Sequence, residues 1–60
     1  MSKMNEFEIG DEVEVDPKQG NPPHSFTGVV TDKDYTYNTL SVRDQDDDVF
    51  EVDVDQVTPF

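Results

Sequence analysis

Alternation of valine with carboxylates most constrains what this chain can fold into. Val13 and Val15 alternate with Glu12, Glu14 and Asp16, and Phe50, Val52 and Val54 alternate with Glu51 and Asp53. Apolar side chains at every second position share one face of an extended chain, whereas a helix needs them at intervals of three and four. Each run therefore predicts a half-buried strand with its acids in water. Residues 39–43, Thr-Leu-Ser-Val-Arg, alternate in the same way, with Leu40 and Val42 inward. Residues 26–32 are rich in β-branched side chains and predict another strand, in which Gly28 suggests a bulge or a sharp bend. No apolar run keeps a helical period over two turns, so no α-helix is expected.

The connections read as turns. Residues 17–25 hold three of the chain's four prolines and one of its three glycines, an irregular loop through which no central strand could pass. Residues 34–38 are a turn or the lip of a hairpin, and the aspartate-rich stretch 44–48 is a hairpin loop. Asp55-Gln56-Val57 suits a single 3₁₀ turn, and Thr58-Pro59-Phe60 a closing strand in which Pro59 favours an edge. The expectation is an all-β fold: a small five-stranded barrel with a short 3₁₀ turn before the last strand. Closure would hide the edges of such short strands. Residues 1–6 are expected to be a flexible tail and 7–60 the barrel. The predicted core is Val13, Val15, Phe26, Val30, Leu40, Val42, Phe50, Val52 and Val57, with Ile9 and Phe60 sealing the ends.

Length and charge narrow the function. A chain of 60 residues without cysteine has no disulfide and no thiolate-bound zinc to staple it, so a small apolar core must carry the fold. Fifteen acidic residues against four basic ones leave a formal charge of −11, enough for self-repulsion to cost stability at low salt. The first residues lack the apolar core of a signal peptide, and no run approaches the roughly 20 apolar residues of a membrane span. A cytoplasmic protein without membrane contact is the expectation.

The order of these features resembles SH3-like small barrels of the KOW and Tudor type over roughly residues 9–60. The residues that carry the likeness are Gly10-Asp11-x-Val13-x-Val15, Gly28-Val29-Val30, Leu40-x-Val42, Phe50-x-Val52 and Asp55-Gln56-Val57-Thr58-Pro59. The resemblance implies a barrel and a binding role, in the KOW case contact with RNA or the ribosome. The loop before Gly28 offers only Lys18 and His24 as basic groups and holds no aromatic before Phe26.

Candidate sites are few. Glu12, Glu14 and Asp16 form one row of carboxylates, and Glu51 and Asp53, which Asp55 could extend, a second, with alternate residues about 6.6 Å apart. Such rows could dock on a basic protein surface, or imitate a nucleic-acid strand with its phosphates every 3.4 Å or so. Tyr35 and Tyr37 could form an aromatic interface anchor, or a turn that covers the barrel end. The aspartates of 44–48 suggest the start of a calcium loop, but Val49 stands where that loop needs glycine. A solvated hairpin loop is the favoured reading. His24 reads as a solvated loop histidine. No nucleophile with a paired base, phosphate-binding glycine loop or cofactor motif is visible, and the chain is not expected to be an enzyme.

The expected function is that of a small acidic binding module that docks on a basic protein surface through its strand carboxylates. The alternative is a nucleic-acid mimic, of the kind phages and mobile elements use to inhibit DNA- or RNA-binding proteins. A second alternative is a KOW-like contact with RNA or the ribosome. Direct binding of a polyanion needs Lys and Arg to displace counterions, and four basic residues against fifteen acids disfavour it.

Overall fold

The computed structural model describes residues 3–20 and 22–60. Five antiparallel strands form one sheet: β1 (Glu12–Val15), β2 (Phe26–Asp34), β3 (Thr39–Arg43), β4 (Val49–Asp53) and β5 (Val57–Pro59). Their order across the sheet is β4-β3-β2-β1-β5. The fold is thus all-β, with a short 3₁₀ turn, Val54–Gln56, before the last strand. That turn starts one residue earlier than the sequence suggests, and β5 is correspondingly early.

The sheet is not closed by hydrogen bonds. β4 pairs with β3, β5 pairs with β1, and both are edges. The three-residue turn between these consecutive strands hands the chain from the β3–β4 ladder to the β1–β5 ladder. Val54 donates its N–H to the Asn38 carbonyl at 3.0 Å, and the Gln56 carbonyl accepts the Asp16 N–H at 2.8 Å.

β2 is the spine. Residues Phe26 to Val29 pair with β1, and Val29 to Asp34 with β3. Between Val30, which faces Val42, and Asp32, which faces Ser41, Thr31 is an extra residue. This β-bulge inverts the side-chain alternation beyond it. Asp32 is turned outward and exposed, and Lys33 lies opposite the buried Leu40. Gly28 is not at the bulge. A Cβ there would come within 2.4 Å of the Arg43 carbonyl oxygen, so glycine permits a close backbone approach.

The expected core residues Val13, Val15, Val30, Leu40, Val42, Val52 and Val57 are buried, while Phe26 and Phe50 are half-buried and pack on each other with ring centroids 5.1 Å apart and planes tilted by 46°. The ends differ from expectation. Ile9 and Phe60 are 64% and 73% exposed and seal nothing. Ile9 is carried outward by a turn in which the Asp11 carboxylate accepts the Glu8 N–H at 3.0 Å. Met4 and Phe7 are fully buried in their place.

Part of the stretch expected to be a flexible tail therefore belongs to the core. Lys3–Glu6 forms a 3₁₀ turn that packs against the turn between β4 and β5; residues 1 and 2 lie outside the described residues. Burying a methionine and a phenylalanine contributes on the order of 1.5–3 kcal/mol each, which a 60-residue core needs. Lys33 fastens this turn by donating its ammonium hydrogens to the Met4 carbonyl at 3.2 Å and to the Phe7 carbonyl.

Candidate protein-binding surface

The first row of carboxylates stands free. Val13 and Val15 turn inward, so Glu12 and Glu14 project from the opposite face of β1 into solvent. Their cross-strand neighbours are neutral: Val29 faces Glu12, and Thr27 and Thr58 flank Glu14. Asp16, just past the strand, is exposed as well, while its backbone is held by Gln56. Among the described residues, none of these three carboxylates takes part in an ion pair.

The second row is engaged. Glu51 accepts a hydrogen bond from the Thr39 hydroxyl at 3.1 Å. Asp53 is half-buried and takes the Lys18 ammonium at 3.0 Å. Its backbone N–H donates to the Gln56 side-chain carbonyl at 3.0 Å, and the Gln56 amide donates to the Asp16 carbonyl at 2.8 Å. Gln56, itself buried, thus ties the exit of β4 to the exit of β1. The two rows are not adjacent in the sheet, since β3 and β2 lie between them.

Two of the cations are used within the molecule. Lys18 pairs with Asp53, and Lys33 is occupied by the carbonyls of the N-terminal turn. Arg43 approaches Asp47 only to 3.9 Å, too far for a hydrogen bond. Lys18, Lys33 and Gln56 carry this arrangement, and the sequence pattern did not single them out. Lys33 could have been found only by foreseeing the bulge at Thr31.

Tyr35 and Tyr37 lie in the four-residue turn between β2 and β3, not in an extended segment. Both are exposed, at 59% and 73%, and cover no end of the sheet. The turn is set by Asp34, whose carboxylate accepts the N–H groups of Thr36 and Tyr37 at 2.9 and 3.3 Å, and by Asn38 at a φ of 56°. The Lys33 ammonium lies 5.4 Å from the Tyr35 ring centroid, within cation–π range.

Asp44 shapes the other hairpin loop. One of its oxygens accepts the N–H groups of Asp46 and Asp48 at 2.8 and 3.0 Å. This is an Asx turn, and it spends an oxygen that a cation would need. No cluster of three or more metal-ligating side chains occurs among the described residues. His24 is exposed in its loop. No helix among the described residues is long and apolar enough to cross a membrane.

No protein-family model matches this chain, and no curated protein is significantly similar to it.

Proposed function

We propose that this protein is a non-enzymatic acidic binding module whose β1 carboxylates dock on a basic surface of a partner protein. One observation carries the reading: Glu12, Glu14 and Asp16 stand exposed and outside any ion pair among the described residues, while Lys18 and Lys33 are consumed internally. The chain as a whole carries a formal charge of −11. Such a surface attracts a basic partner over roughly 10 Å at moderate ionic strength and speeds the encounter. The resemblance to KOW- and Tudor-type barrels supports a binding role over catalysis, and it is the charge that selects a basic protein over RNA as partner.

The test is capture from lysate at low salt with elution by a salt gradient, in nuclease-treated and untreated halves. The Glu12→Gln, Glu14→Gln double variant runs beside the wild type. A basic protein held by the wild type in both halves and lost from the variant supports the reading. Retention that appears only after nuclease treatment points to competition with nucleic acid, and so to mimicry. Loss of all binding after nuclease points to RNA contact, and an identical profile for wild type and variant removes the β1 carboxylates from the interface.

A further inference from the structure

The outer face of the sheet carries more than charge. Phe60, one residue past β5, donates its N–H to the Glu12 carbonyl at 3.3 Å, and across the strands in register Glu12 faces Val29, Val29 faces Arg43, and Arg43 faces Val49. Directly opposed residues in a sheet point to the same side, so these side chains form one band across the sheet. At roughly 4.8 Å per strand the band is about 19 Å long. Its apolar members are poorly covered: Val49 is 58% exposed, Phe60 73%, and Val29 is half-buried. Glu12, Val29 and Arg43, together with Asp44 and Asp47, also line an open depression of about 210 Å³.

We infer that this band is a docking surface for a cationic amphipathic segment of a partner protein, one that alternates Lys or Arg with aliphatic residues. The inference rests on the proposed acidic docking and adds the chemistry of the partner. Charge complementarity selects the occupant. A second copy of a chain with formal charge −11 would be repelled, and an anionic nucleic acid or lipid surface likewise. An apolar stretch without cations would leave Glu12 to be desolvated unpaired. A Lys or Arg side chain satisfies both demands, with its aliphatic stem on Val29 or Val49 and its head toward Glu12. Arg43 is the one group on the band that opposes such a partner, and its contact with Asp47 at 3.9 Å is loose.

This assignment gives Arg43 and Lys18 different roles. Removing Arg43 should tighten binding because a like charge leaves the site. Removing Lys18 uncovers Asp53, which lies on β4 and off the band. Val49 and Phe60 should contribute affinity that salt does not screen.

The experiment uses the full chain, isotopically labelled, titrated with two synthetic nine-residue peptides of equal charge. One alternates Lys with Leu, and the other alternates Lys with Gly. The expected result is at least about tenfold tighter binding of the Lys-Leu peptide, since burial of leucine is favourable by roughly 25 cal/mol per Å². Amide shifts should be largest at Glu12, Val29, Arg43, Val49 and Phe60. Val49→Ser, at an exposed position, should weaken the Lys-Leu peptide about three- to tenfold without altering the salt dependence, and Arg43→Gln should tighten both peptides more than Lys18→Gln does.

Equal binding of the two peptides, or shifts centred on Lys18 and Asp53, would overturn the band and leave acidic docking standing. Absence of binding by either peptide at low salt would overturn both.

Discussion

β1 and β4 have almost the same sequence pattern and opposite electrostatic fates. Each alternates apolar residues with acid and turns apolar side chains inward, Val13 and Val15 from β1 and Phe50 and Val52 from β4. β1 is an interior strand between β2 and β5, and its outward acids meet only neutral neighbours. β4 is an edge strand, and its acids are reached by Thr39 from β3 and by Lys18 from the loop after β1. A carboxylate row on a strand is therefore not in itself a binding feature. What matters is whether the rest of the chain supplies a partner for it. Here the chain supplies one to β4 and none to β1, among the described residues.

The largest effect should come from the strut between the two strands. Gln56→Leu removes the acceptor for the Asp53 N–H and the donor for the Asp16 carbonyl. A buried group left unsatisfied costs about 1–3 kcal/mol, and with the part-buried carbonyl of the exposed Asp16 at the low end a loss of about 2–4 kcal/mol in unfolding free energy is expected. Urea unfolding would measure it. A change below about 1 kcal/mol would mean that water replaces the side chain and that the strands are held together by other contacts.

Next in size is the split in affinity between the rows. Glu12→Gln with Glu14→Gln should weaken binding to the Lys-Leu peptide about tenfold or more at low salt, as expected when two unscreened charges leave an interface. Glu51→Gln with Asp53→Asn should change it less than about threefold, because Lys18 already compensates Asp53 and Glu51 lies off the band, opposite Ser41. Equal effects would show that internal pairing does not remove β4 from the binding surface, and the contrast between the strands would fail.

Much of this fold can be read from the sequence because period two leaves few choices. The alternation at Val13 and Val15, at Leu40 and Val42, and at Phe50 and Val52 names the buried face of three strands. The turns follow from residues that need them, such as Gly10 at a φ of 99° and the Asp44 carboxylate folding its loop. Met4 and Phe7 were not legible, since two apolar residues in a polar stretch make no period, and their burial depends on a space only the assembled sheet creates. Lys33 was hidden for a different reason. One extra residue at Thr31 turns a strand's outward cation toward the core side, and nothing in residues 26–34 marks the bulge. The acids of the candidate surface were visible as residues, but which were free depended on where Lys18 and Lys33 point. That is tertiary information.

A smaller effect concerns stability, where the two rows should respond with opposite sign. Asp53→Asn breaks an ion pair whose side chains are about half exposed, at 48% and 47%, so the loss should lie between 0 and about 1 kcal/mol. Glu14→Gln removes a charge that no cation offsets in a chain of net charge −11, and should raise the melting temperature slightly. Calorimetry on the two single variants decides it. A fall in both would mean that Glu14 has a compensating partner in solution.

Salt should sharpen the same contrast with the least perturbation. Self-repulsion is screened as the Debye length falls from about 30 Å at 0.01 M to about 3 Å at 1 M, so the wild-type melting temperature should rise with sodium chloride. The rise measures uncompensated charge. In the Glu12→Gln, Glu14→Gln variant it should shrink, because two of the charges that salt would screen are gone. In the Asp53→Asn variant it should shrink less, since the mutation frees Lys18 as it removes the acid, and the net repulsion falls by one charge while an attractive pair is lost. Salt weakens that attraction in the wild type, so its removal partly restores the response. A flat wild-type response would mean that the β1 carboxylates are already neutralised, by a bound cation or by association. The free row that distinguishes β1 from β4 would then not exist in solution.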